Sequence, residues 1–268
     1  MTLNWTVAGP RRCIGHWNPE SGVVPCPERM VLVRGGPRCG PCNATDVSSR
    51  CAMCDGSSCH ASPQRHRECT ETLHVVYAAL FGDEVVKVGV SSRERLMTRW
   101  LEQGADFAAE IAQIRGGMAA RRMEQRLGRL AGLTLSVRNS VKVRLLSRRL
   151  DPDAAQSRLG DALRRAGVTR EIIEREAEVV EWPPVVHDLG PAYGLPDMSL
   201  QRPFEIRSSV RPEGRVIDGS VEGMKGPLLI TRRGSTTTIS DLARLAGYTL
   251  ITGIMVESDI QSDLTEFE

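Results

Sequence analysis

The chain has 268 residues, enough for one large domain or two to three small ones, and its 41% hydrophobic content allows a packed core. The net charge of +2 is close to neutral, so bulk charge alone does not mark a nucleic-acid binder. No run of 18 apolar residues occurs, which excludes a membrane-spanning helix, and the opening MTLNWTVAGPRR lacks the charged-then-apolar order of a secretion signal.

A cytoplasmic location is therefore expected, where thiols stay reduced. All eight cysteines lie before residue 70: Cys13, Cys26, Cys39, Cys42, Cys51, Cys54, Cys59 and Cys69. Two C-x-x-C pairs, CGPC (39–42) and CAMC (51–54), each deliver two donors from one tight turn, the spacing of a zinc knuckle. A first structural zinc is expected on Cys13, His16, Cys39 and Cys42. A second is expected on Cys51, Cys54, Cys59 and Cys69, with His60 as an alternative ligand; Cys26 is left over. The segment is rich in Gly, Pro, Ser and Arg, so metal would supply the stability its small core lacks.

Next, HVVYAAL (74–80) and EVVKVGV (84–90) read as two β-branched strands around an FGD turn. A three-residue loop puts Tyr77 opposite Lys87 on one face; a two-residue loop puts them on opposite faces. SSRERLMTRWLEQGA follows, with Ser91 and Glu94 fitting a capping box and Gly104 stopping the helix after Gln103. Leu96, Trp100 and Gln103 share one helical face, and Arg95 and Arg99, four apart, share another. In GGMAARRMEQRLGRLAGL, Ala120, Met123, Leu127 and Leu130 form an apolar stripe, with Glu124 at its edge.

Residues 155–180 read as two helices, and WPPVV (182–186) marks a boundary. Beyond it, β-branched runs alternate with Gly and Pro, as in a small β-rich domain. TISDLARLAGYTL looks like the opening of a helix-turn-helix, but the TLITGIMVES that follows reads as a strand. Lys225 in GMKGPLLI reads as a surface lysine. The acidic end, ESDIQSDLTEFE, reads as a segment that frays or covers a sheet edge. The expected class is α+β, in four segments: a zinc-binding head (1–72), a small mixed-sheet core (73–133), a helical connector (134–187) and a β-rich domain (188–268).

The order of VVY, KVG, RW and an edge glutamate in RRMEQRL resembles that of the GIY-YIG nucleases. More of the chain, roughly residues 13 to 130, resembles an uncharacterised bacterial family that places a Cys-rich head before such a core. That pattern is matched by Cys39-x-x-Cys42, Cys51, Cys59-His60, Cys69, His74-x-x-Tyr77, KVGV, RW with QGA close behind, and Glu124. The resemblance implies a metal-dependent endonuclease acting on DNA or RNA. It implies Tyr77 as the group that activates water, Arg99 with Arg95 as the phosphate grip, and Glu124 as the ligand of Mg2+ or Mn2+. Lys87 stands where the second motif has tyrosine; it can neutralise phosphate and lower the pKa of Tyr77, but cannot orient water as a phenol does. A zinc-stabilised nucleic-acid-binding protein without turnover is the alternative, as is a fold reused for a biosynthetic reaction on a nucleotide or aminoacylated RNA.

Overall fold

The structure, a computed structural model, describes residues 1–18, 20–198, 204–207 and 212–253. The acidic end lies outside the described residues. The architecture is mixed α+β, in two compact and discontinuous units.

Among the described residues, the first unit draws on 1–18, 20–46, 204–207, 212–222 and 229–253. Its six-stranded sheet has the order β13-β1-β10-β11-β12-β9. These strands are β1 (Thr2–Ala8), β9 (Phe204–Arg207), β10 (Val216–Lys225), β11 (Leu228–Arg233), β12 (Thr236–Asp241) and β13 (Thr249–Thr252). Strand β1 pairs antiparallel with both β10 and β13, and its Leu3 and Val7 pack with Ile217 and Leu229. The head is thus divided. Residues 1–46 belong with the C-terminal sheet because that sheet takes its second strand from the N-terminus, whereas residues from Val47 onward belong to the other unit. The first four cysteines flank a short hairpin, β2 (His16–Asn18) and β3 (Gly22–Val24), and the short helix α1 (Gly40–Thr45): Cys13 precedes β2, Cys26 follows β3, Cys39 caps α1 and Cys42 lies within it. As its β-branched run implies, the segment after TISDLARLAGY is strand β13, not a recognition helix.

Among the described residues, the second unit comprises 47–198 together with the short segment 223–228. Helices α2 (Val47–Ala52) and α3 (Pro63–Glu71) precede a five-stranded sheet of order β7-β5-β4-β6-β8. Its strands are β4 (Leu73–Phe81), β5 (Val85–Ser92), β6 (Phe107–Arg115), β7 (Leu133–Thr134) and β8 (His187–Asp188). The central strand β4 is antiparallel to β5 and β6 and is buried from Val75 to Phe81, as a β-branched strand covered on both faces should be. Val76, Ala78 and Leu80 face α5 (Gly117–Leu127) and α7 (Pro152–Arg165) through Ala120, Met123, Leu127, Leu159 and Leu163. Val75, Tyr77, Ala79 and Phe81 face α4 (Leu96–Gln103) and α6 (Asn139–Leu145) through Leu96, Trp100 and Leu145. Shorter helices α8 (Arg170–Glu174) and α9 (Gly190–Tyr193) complete the unit.

The β4–β5 loop is Gly82-Asp83-Glu84, three residues long, and Phe81 pairs with Val85. The loop thus falls one residue later than the expected FGD turn, and Tyr77 lies opposite Gly89 rather than Lys87, which lies opposite Ala79. The two side chains sit diagonally on one face, because partners two apart on a strand share a face. Gly104 ends α4 in the left-handed conformation, at φ 70°, as the sequence implies. The capping box at Ser91 does not form. Strand β5 runs on to Ser92, Ser91 is held in the ladder opposite Val75, and a 3-10 turn over 93–95 leads into α4 instead.

Candidate functional site

The sulfurs of Cys13, Cys26, Cys39 and Cys42 all lie within 4.8 Å of one another, and all four residues are buried. The fourth position belongs to Cys26 and not to His16. Gly15 explains the choice. At φ 80°, it packs so tightly on the end of β3 that a Cβ there would strike the Val24 carbonyl and stand 3.0 Å from the Cys26 amide. The turn after Cys13 thus draws Cys26 in, while His16 is committed to the β2–β3 ladder opposite Val24. The Cys39 and Gly15 amides donate to the Cys13 sulfur at 3.2 and 3.4 Å, the outer-shell pattern that steadies a thiolate. Burial pushes the Cys13 thiol up, but these amides and the Cys39 and Cys42 thiols outweigh it and bring it to about 7. Burial and the neighbouring sulfurs push the Cys42 thiol up. Four thiols in one space ionise together only around a cation, and a closed tetrahedral set of four thiolates fits a structural zinc. Beneath it, the carboxylate of Asp46 is buried, pairs with Arg38 at 3.0 Å and accepts from the Trp17 amide at 2.9 Å.

The other expected zinc set is not drawn together in that way. The four-cysteine group is the one cluster of three or more potential ligands at this spacing among the described residues. Cys59 and His60 are exposed, and His60 Nε2 lies 2.9 Å from the Ser58 hydroxyl.

In the second unit, Tyr77, Lys87, Arg99 and Gln103 meet on the α4 side of the sheet. Gly89 makes the meeting possible: a Cβ on it would stand 2.5 Å from Tyr77 Cζ and 2.9 Å from Lys87 Nζ. The Lys87 ammonium also lies 5.7 Å from the centre of the Tyr77 ring. A β-bulge between Val76 and Tyr77 on the β6 side re-aims the strand at this point. Gln103, buried on the inner face of α4, donates from Nε2 to the Tyr77 hydroxyl at 2.5 Å, and among the described residues its Oε1 has no hydrogen-bond partner. Sequence reasoning places Gln103 only on the apolar face of α4; a glutamine sharing a helical stripe with Leu96 and Trp100 is the signal that it has a buried polar partner.

Tyr77 is fully buried, at 0% exposure. Its phenol is pushed up by burial, more than Arg99 and the Gln103 hydrogen bond pull it down. This corrects the expectation that a neighbouring cation lowers it. Lys87 moves the other way: burial brings its ammonium from 10.5 to about 8, with Glu124 acting to raise it and Arg99, Arg121 and Lys142 adding to the fall. Arg95, at the end of the 3-10 turn, and Arg99, on α4, are exposed and share the Glu102 carboxylate, at 2.9 and 3.5 Å.

Glu124 stands on α5, whose apolar stripe packs on the other face of the sheet from α4. It is buried and pairs with Arg121 at 2.7 Å; its charge reaches Tyr77 and Lys87 through space. Arg121 went unmarked in the sequence, although its i, i+3 spacing to Glu124 signals the pair. For the expected Mg2+ or Mn2+, Glu124 is a single carboxylate with one oxygen accepting from Arg121, so water and substrate oxygens would have to complete the shell of six.

Lys225 is not the surface lysine the sequence suggests. It is buried and ion-paired with the equally buried Asp106, whose other oxygen accepts from the Gly82 amide at 2.8 Å. No helix among the described residues is long and apolar enough to cross a membrane.

No curated protein and no solved structure gives a match to the chain. A family described as "Protein of unknown function (DUF2797)" matches residues 2–250, nearly the whole sequence, and the chain belongs to that uncharacterised family.

Proposed function

We propose that the Tyr77–Lys87–Arg99 face binds a nucleic-acid phosphodiester and hydrolyses it, while the four-cysteine centre holds a structural zinc. The observation that carries this reading is the meeting of a phenol and an amine over the bare backbone of Gly89, with a guanidinium beside them. Their environments push the two proton affinities apart, which is how an acid and a base are set side by side. Lys87, partly neutral near pH 8, takes a proton from water as it attacks phosphorus. Tyr77, held protonated, supplies one to the departing oxygen. Arg99 and Arg121 balance charge on the phosphate oxygens. The order of motifs that resembles the GIY-YIG nucleases supports the same substrate class. Because Glu124 is engaged by Arg121, no step is routed through magnesium.

One observation favours a second reading. The complete burial of Tyr77 suits a phosphate-binding surface that turns nothing over. The full-length protein, incubated with single- and double-stranded DNA and RNA with Mg2+, Mn2+ or a chelator, separates the two. Hydrolysis requires cleavage that rises with pH through about 8 and falls on the order of 10²-fold or more in Tyr77→Phe and Lys87→Met. Binding alone requires salt-sensitive retention of the nucleic acid that Tyr77→Phe leaves unchanged. Neither cleavage nor retention would end both readings.

A further inference from the structure

Outside the four-cysteine centre, a second group of metal-type side chains gathers at the first turn of α5. Cys69, near the end of α3, and His74, at the start of β4, both point at Gly117. A Cβ on Gly117 would stand 2.5 Å from the Cys69 sulfur and 3.0 Å from His74 Nε2, so only glycine leaves their common space open. His74 Nδ1 lies 3.0 Å from the Thr72 carbonyl. A carbonyl can only accept, so Nδ1 carries the proton, and the neutral ring keeps its lone pair on Nε2, the atom at Gly117. A backbone carbonyl fixing one ring nitrogen so that the other can bind metal is the usual outer-shell arrangement of a histidine ligand.

The CAMC knuckle is fastened next to this pair. Gly56, two residues after Cys54, is buried against α5, where a Cβ would strike the Met118 carbonyl and stand 2.8 Å from the Arg122 amide. Arg122 Nη1 donates back to the Gly56 carbonyl at 2.9 Å. Cys69 and His74 thus face the first residue of the helix on which Gly56, just past the knuckle, packs at Met118 and Arg122. Arg65, one helical turn before Cys69, is held by Glu68 at 3.0 Å and also by the Cys51 thiol, so Cys51 lies toward the side of α3 that bears Cys69. Cys51, Cys54 and Cys69 are all partly buried, whereas Cys59 is exposed.

We propose that Cys51, Cys54, Cys69 and His74 form a second zinc site that clasps segment 47–72 to the first turn of α5. Three thiolates and one imidazole are a closed tetrahedral set of the kind zinc takes in structural sites. Cys69 and His74 are preset, and the two knuckle sulfurs close on them when metal arrives. His74 thus replaces Cys59 and His60 in the set the sequence suggests.

Metal content of the purified full-length protein tests the site without reference to any activity. The wild type should carry about two zinc ions per chain, one of them at the four-cysteine centre. His74→Ala and Cys69→Ser should each lose one, while Cys59→Ser and His60→Ala keep both. His74→Cys should keep both and, with cobalt in place of zinc, show stronger sulfur-to-metal charge transfer than the wild type. It decides the matter if His74→Ala does not fold. The proposal is overturned by a single zinc in the wild type, by two in folded His74→Ala, by an unchanged cobalt spectrum in His74→Cys, or by loss of a zinc in Cys59→Ser.

Discussion

Replacing Lys87 by methionine should stabilise the protein near neutral pH, and the gain should vanish at high pH. Methionine keeps the length of the side chain and removes the charge that β5 holds half-buried. Burial brings the folded-state pKa of Lys87 from 10.5 to about 8. A lysine whose folded value lies below its unfolded one binds fewer protons folded than unfolded between the two, so its contribution to stability rises with pH across that window. Below about 8 the ammonium is charged in both states, and folding carries the whole cost of burying it. Above about 10.5 the amine is neutral in both states and the cost is gone. At ~1.4 kcal/mol for each tenfold change in proton affinity, the fall corresponds to at most ~3.5 kcal/mol, and to ~1.5–3 kcal/mol once partial exposure is allowed for. Urea unfolding of both proteins at pH 6.5 and at pH 10.5 measures it, since other titrating groups cancel in the difference. Lys87→Met should lead by ~1.5–3 kcal/mol more at pH 6.5 than at pH 10.5. A lead that is the same at both pH values would refute the burial argument, and with it the assignment of Lys87 as a base near pH 8.

Two further substitutions probe the contacts that shape the second unit. Asp106→Asn should cost ~3–5 kcal/mol, because it leaves the Lys225 ammonium buried without its counter-charge. The double variant Asp106→Asn/Lys225→Met should recover much of that loss in thermal or urea melts, and failure to recover would show that the ion pair is not the cause. Gly89→Ala should lower stability by ~1–3 kcal/mol, since the added methyl overlaps the Tyr77 phenol and crowds Lys87. Tyr77→Phe/Gly89→Ala should be less destabilised than Gly89→Ala alone, because the hydroxyl is part of the clash.

What the sequence revealed and what it hid divide along contact distance. The β4–β5 hairpin is legible because Val75, Val76, Val85, Val86, Val88 and Val90 are β-branched and adjacent in the chain, and Gly104 announces its helix end by lacking a Cβ. Local spacing failed where closure depends on packing. Cys13 and His16 fit a knuckle by spacing, yet Gly15 folds the turn onto Cys26, ten residues past His16. The alternation of Leu3, Trp5 and Val7 in β1 is visible in the sequence, but its partners lie more than 200 residues away, and no local pattern names them. The same holds for Lys225, whose partner Asp106 is 119 residues earlier. Tyr77 is the instructive case. Its strand could be read, but whether its hydroxyl met water or a glutamine depended on α4 closing over it, which pairs two residues 26 apart.

On the proposed reading, a lysine at position 87 changes the chemistry available to this face. With a second phenol, Tyr77 would need a cation to ionise and a metal to share the charge of the phosphate. Lys87 carries positive charge below about pH 8 and is a free amine above it, so under the proposed function one side chain would cover phosphate attraction and proton acceptance at different pH. Arg121 reinforces the change by taking an oxygen of Glu124, the carboxylate on which a divalent ion would rest. Around Lys87, the charges of Arg99, Arg121 and Lys142 act against the pull of Glu124, while Arg99 also shares the Glu102 carboxylate. Arg121→Ala separates this view from a magnesium-based one. If Glu124 is freed to bind Mg2+, the substitution should create or raise metal-stimulated cleavage. If the cations carry the phosphate, it should weaken nucleic-acid retention and flatten its salt dependence, with no response to added magnesium.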